Sequence, residues 1–175
     1  MTPRKWKFDR PDRFIVGTIG APGEREFYFQ IRQENLLISV ATEKSQAAAL
    51  ADRISTIVRE IKKNAPLSAI SPAAVDNAPL ELPLESEFVV GAIGIAFDPA
   101  TLEIEISLRS DSGESDEDED EDLAIVDIHL DLSMALAFVA RTQSLVAAGR
   151  PLCPFCTAPI DPRGHLCPRA NGYRR

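Results

Sequence analysis

The sequence predicts an α+β protein: two βββα repeats with antiparallel strands, pseudo-symmetric, plus a C-terminal loop rich in cysteine. Three observations carry this. Phe14-Ile-Val-Gly-Thr-Ile-Gly20 returns as Phe88-Val-Val-Gly-Ala-Ile-Gly94. After each copy come two more apolar runs and then a long stretch of helical periodicity. All three cysteines and one of the two histidines fall within residues 150–175. The expected body is 1–149, with repeats 14–63 and 88–149 joined by a linker over 64–87, and the tail is 150–175.

The repeated heptapeptide is apolar and β-branched, so each copy reads as a strand ended by a turn. Those turns are Ala21-Pro22-Gly23 and Asp98-Pro99-Ala100. Phe27, Phe29 and Ile31 then alternate with polar neighbours, as do Leu102, Ile104 and Ile106, which marks second strands with one apolar face. Third strands are expected over 36–41 and 123–130. Hairpin connections require antiparallel neighbours within each unit.

Helices are expected over 43–63 and 132–148. Leu50, Ile54, Ile57, Val58 and Ile61 form one stripe, with Asp52, Arg53, Arg59 and Lys63 off it. Met134, Leu136, Phe138, Val139, Leu145 and Val146 spread wider around the second helix and predict deeper burial. Thr42 and Asp131 stand at the N-cap positions. Pro66 follows the first helix, and Gly149 with Pro151 closes the second. The linker carries Pro66, Pro72, Pro79 and Pro83 and is expected to cross the surface. One shared sheet and two separate sheets both satisfy this pattern, with the helices on one side.

The net charge of −8 is concentrated in one place. Nine of the 27 acids lie in residues 111–122, and the remaining 18 face 19 basic residues. The body is therefore near neutral, and residues 110–122 read as an acidic hairpin tip. A solvated loop explains them. Cation binding, mimicry of nucleic acid and attraction of a basic partner are the functional alternatives. No apolar run is long enough to span a membrane, and the N-terminus has no secretory h-region. Three cysteines clustered in one motif predict a reducing, cytoplasmic setting.

The cysteines are spaced C-x2-C at Cys153 and Cys156, followed by H-x-C at His165 and Cys167. Four borderline-soft ligands in one short loop suit tetrahedral zinc. Residues two apart in an extended segment point the same way, so His165 and Cys167 can close the site. Four protein ligands leave no open position, which makes the expected zinc structural. A redox thiol pair and three unrelated cysteines are the other readings. The redox motif, however, opens a helix near a βαβ unit, and here prolines surround it.

Arg150, Arg163, Arg169, Tyr173, Arg174 and Arg175 form a basic cluster around this loop. Arginine forks suit phosphate or carboxylate, and tyrosine can stack on a ring. The N-terminal Arg4, Lys5, Lys7 and Arg10, with Trp6, read as an edge strand or arm. Gly17-x-x-Gly20-x-x-Gly23 lacks the G-x-G opening and leads into a strand, so it is no dinucleotide fingerprint. His129 alternates with Asp127 on a strand and reads as a sheet-surface histidine. No residue set singles out a catalytic centre, and whether the chain is an enzyme stays open.

The run Cys153 to Arg175, with the repeat opening at Phe14, resembles a bacterial family described only as a repeat protein of unknown function. The resemblance covers nearly the whole chain and is most specific in that final run. The acidic insertion is a variable feature within it. Members of the family are often encoded near a phosphoglycerate-mutase-like and a kinase-like protein, so the resemblance implies a link to phosphate metabolism. It brings no established catalytic residues.

These readings converge on a zinc-containing binding or adaptor protein of the cytoplasm. Its expected partner is a protein or an anionic ligand, with no membrane involved. The competing expectations are an enzyme or ligand-binding protein acting on a phosphorylated or anionic small molecule, and an RNA-binding protein.

Overall fold

The computed structural model describes residues 4–21, 23–64, 70–111, 123–149, 152–158, 160 and 165–169. In chain order the elements are β1 (Lys5–Asp9), β2 (Arg13–Ile19), β3 (Glu26–Gln33), β4 (Leu36–Thr42) and α1 (Lys44–Asn64). After the linker come β5 (Ser86–Asp98), β6 (Glu103–Ser110), β7 (Ile125–Asp131) and α2 (Leu132–Ala147). All seven strands join one sheet, in the order β1-β7-β6-β5-β4-β3-β2.

The trios β2–β3–β4 and β5–β6–β7 are antiparallel meanders. This matches the antiparallel expectation within each unit, and the joints outside the trios are parallel. β4 pairs parallel with β5, and β1 pairs parallel with β7. Hairpin logic governs only strands joined by short turns, and each joint pairs strands distant in sequence.

β1 and β2 stand at opposite ends of the strand order, yet only Arg10–Asp12 separate them. Asp9 and Arg13 can lie at most about 14 Å apart, whereas the outer strands of a flat seven-stranded sheet stand about 29 Å apart. The sheet must therefore curl until its ends approach. Arg10 N–H donates to His129 O, and Glu34 N–H to the Asp12 carboxylate, so the bend is tied to both ends. β5 makes a similar transfer. Its start pairs with β4 at Ser86 and Val89, and from Val90 to Asp98 it pairs with β6.

Both helices pack against the apolar face of the sheet. α1 buries Ala47, Leu50, Ala51, Ile54, Ile57 and Val58. α2 buries Leu132, Ala135, Phe138, Val139, Arg141 and Thr142. Phe138 stacks on Phe14 with centroids 4.5 Å apart and also contacts Phe29. β6 and β7 alternate strictly, burying Ile104, Ile106 and Leu108, then Val126, Ile128 and Leu130.

Asp131 caps α2 by accepting from Met134 N–H at 2.8 Å. Thr42 does not play that role for α1. Its hydroxyl donates to the Gln46 side chain, which also accepts from Glu43 N–H. Gln46 thus satisfies the entry from inside the helix. Among the described residues no helix is long and apolar enough to cross a membrane. The acidic stretch Ser112–Asp122 lies outside the described residues.

Candidate metal centre

Residues 152–158 make a tight knuckle. Cys153 N–H donates to Ala158 O, and Thr157 N–H donates back to Cys153 O, both at 2.8 Å. Thr157 takes the left-handed φ of 60° that this curl requires. The turn directs the N–H groups of Phe155 and Cys156 onto the Cys153 sulfur, and that of Ala158 onto Cys156. Arg169, on the returning limb, donates to Phe155 O at 3.2 Å and ties the two limbs together.

The fold of this loop brings together the four residues that spacing predicts. The ligand atoms of Cys153, Cys156, His165 and Cys167 all lie within 4.8 Å of one another. Cys153 and Cys167 are buried, and their sulfurs are 3.8 Å apart. Two sulfurs each about 2.3 Å from one tetrahedral ion stand roughly 3.8 Å apart, so this edge matches a metal site. Cys156 Sγ and His165 Nε2 are closer, at 3.2 Å. All three cysteines are free thiols. The donor set fits a metal ion, with no position left over for substrate.

Burial pushes the Cys153 thiol up, but hydrogen bonds from the surrounding N–H groups and from Cys156 and Cys167 outweigh it, bringing its pKa to about 7. For Cys156 the Ala158 N–H favours the thiolate, yet burial and the neighbouring sulfurs of Cys167 and Cys153 prevail and raise it. The cluster forms one thiolate readily and resists the next. A bound dication would remove that resistance by neutralising the sulfurs.

Of the predicted basic cluster, Arg169 is exposed and engaged within the knuckle. Arg150, Arg163, Tyr173, Arg174 and Arg175 lie outside the described residues. His129 sits on the outer sheet face, with Nδ1 3.7 Å from Asp9 and 3.8 Å from Glu103.

A second polar centre escaped the sequence reading. Arg141 is 9 % exposed and donates through Nε to Val16 O at 2.7 Å and through Nη1 to Asp76 O. Arg13 forms an ion pair with the Asp76 carboxylate and donates to Ala78 O and Pro79 O. The Arg13 hydrogen bond holds the Asp76 carboxyl below its ordinary range, against the opposing effect of burial. Burial lowers Arg141, and Asp76 partly restores it. The available signal was helical phase: Arg141 falls beside the buried Phe138 and Thr142, where a charge needs a partner.

One curled sheet backed by two helices, with a Cys3His cluster on a C-terminal loop, defines an α+β protein carrying a candidate metal centre. The chain belongs to the family described as protein of unknown function (DUF3090), which it matches over residues 6–167. That span includes all four cluster residues. No curated protein and no solved structure matches the chain.

Proposed function

We propose that the chain is a cytoplasmic binding or adaptor protein whose Cys3His knuckle holds a structural zinc ion. The observation that carries this is the convergence of four ligand atoms, two of them on buried cysteines, in a loop with little apolar burial of its own. Zinc supplies folding free energy to such a loop rather than chemistry. Three free thiols accord with a reducing compartment.

The knuckle also supports the binding half of the reading. Leu152, Phe155 and Leu166 are 64 %, 62 % and 85 % exposed around the cluster. A metal-fixed loop holds these apolar side chains and Arg169 in a constant array, which lowers the entropy cost of docking a protein partner. The enzyme and RNA-binding alternatives lean on arginines outside the described residues, while Arg13 and Arg141 are both engaged by Asp76.

Duplication belongs to the same proposal: β2–β4 with α1, and β5–β7 with α2, are two copies of one unit. The repeated heptapeptide and the common order of elements support it.

The test is metal content of protein purified without added zinc, beside a Cys153→Ser/Cys156→Ser variant. About one zinc per chain is expected from four ligands, lost in the variant with the body still folded. Metal-free wild-type protein whose thiols cycle through a disulfide would refute the reading. Phe155→Ala/Leu166→Ala should keep the zinc and release a co-purifying protein partner.

A further inference from the structure

Two clefts in this molecule have matching helix walls, and among the described residues the linker lines only one of them. The first lies between β2 and α2. Its helix wall is Met134, Ala137, Phe138 and Arg141. The second lies between β5 and α1. Its helix wall is Gln46, Ala49, Leu50 and Arg53. Both sets follow the spacing i, i+3, i+4, i+7, so Arg53 holds the place of Arg141. On the strand side, Val16-Gly17 and Val90-Gly91 occupy the same positions of the repeated heptapeptide. In each case a helix side chain donates to the valine carbonyl: Arg141 to Val16 O, and Gln46 to Val90 O.

The protein's own linker closes over the first cleft and narrows it to about 190 Å3. Ala73 N–H donates to Ser133 O at the start of α2. The Asp76 carboxylate pairs with Arg13, and its backbone carbonyl accepts from Arg141. Leu80 lies directly over Gly17, where an added Cβ would stand 2.5 Å from its Cγ. An extended Ala- and Pro-containing segment with one carboxylate is therefore what this kind of cleft holds.

Over Gly91 the place of Leu80 is taken by Asp111, whose Cα an added Cβ would meet at 2.6 Å. Among the described residues no linker segment enters the second cleft. One part, about 330 Å3, is lined by Gln46, Arg53, Gly91, Ile93 and Ile95. It continues at Arg53 and Ile95 into another of about 550 Å3, lined by Ile57, Ile61, Phe97 and Leu102. From Gly91 to Asp98, β5 is paired by β6 on one edge, and among the described residues no strand pairs the other edge. Ile93, Ile95 and Phe97 are left half-buried. Arg53 is exposed and has no ion-pair partner among the described residues.

We infer that the β5–α1 cleft binds an extended segment of a partner polypeptide, apolar and Ala/Pro-containing, with one carboxylate that pairs with Arg53. The open strand edge supplies backbone hydrogen bonds, as in strand addition. Ile93, Ile95 and Phe97 gain the cover that the linker gives the first cleft. Glu60 lines the far end of the cleft and repels a second acid, which selects a single carboxylate over an acidic run. The inference rests on the duplication in the reading above and not on the metal.

The linker itself supplies the probe. A fluorescent peptide Ala-Ala-Val-Asp-Asn-Ala-Pro-Leu, copying Ala73–Leu80, is titrated into the full-length protein by anisotropy, with amide hydrogen exchange read in parallel. Saturable one-to-one binding is expected, with new protection over Gly91–Asp98. Arg53→Ala in the protein, or Asp→Asn in the peptide, should each weaken binding roughly tenfold or more, because a charged hydrogen-bonded contact is lost. Zinc-stripped protein should bind equally well, which separates this result from failure of the metal reading. Absence of saturation, indifference to Arg53→Ala, protection confined to β2 and α2, or a dimer that covers β5 in solution would each overturn the inference.

Discussion

The body and the C-terminal knuckle are held by different physics. The body buries one continuous apolar cluster running from Phe14 and Phe29 through Phe138 to Ile128. The knuckle exposes Leu152, Phe155 and Leu166, and buries chiefly Cys153 and Cys167. A body built on burial loses stability in proportion to the apolar surface removed. A loop built on four ligands keeps or loses its shape with one ion. The two regions should therefore fail independently.

Metal removal should produce the largest contrast. Binding free energies of structural zinc sites are on the order of 10–16 kcal/mol at neutral pH. A chelator should abolish amide protection at Cys153 and Thr157 while the main thermal transition of the body stays in place. Simultaneous loss of both would show that the knuckle is part of the body's cooperative unit.

Phe138→Ala should invert that pattern. Phe138 is 2 % exposed and touches both Phe14 and Phe29. Truncating a buried phenylalanine costs about 3–5 kcal/mol, which urea unfolding would register, with zinc content per folded chain unchanged.

Gly17→Ala tests how firmly the linker is seated. The new methyl would overlap Leu80, and such overpacking costs about 1–3 kcal/mol. Proteolysis of the linker should accelerate at the same time. Unchanged stability and cleavage would mean that Leu80 moves aside freely.

Acid should act through Asp76, with a smaller effect. Its folded-state pKa lies below its ordinary value, chiefly through the Arg13 hydrogen bond. The folded protein therefore binds its proton less readily than the unfolded chain. The resulting stabilisation is complete above the ordinary carboxylate pKa of about 3.9, and is lost as pH falls from there through the depressed value. Urea midpoints of wild type and Asp76→Asn should differ at neutral pH and converge in acid. The knuckle has no part in this contact.

Much of the body was legible because its signals are local. Alternation in Phe27, Phe29 and Ile31 and the stripe from Leu50 to Ile61 depend only on which side of a strand or helix faces apolar surroundings. The cluster was legible for a similar reason: Cys153, Cys156, His165 and Cys167 are close in sequence, so a short loop can gather them. Arg13, Asp76 and Arg141 were not legible, because they meet only when the linker crosses from one half to the other. Asp76 carries no local pattern that sets it apart from any other acid.

By itself the sequence determined the order of strands and helices, the apolar face of each, and the four-residue ligand set, since all of these follow from residue type and short-range spacing. The tertiary structure alone decided the parallel joints β4–β5 and β1–β7, the curl that brings the sheet ends together, and the seating of the linker against β2 and α2. Periodicity states which face must be covered. Which neighbour covers it depends on chain reach and on competition among distant surfaces for the same contact.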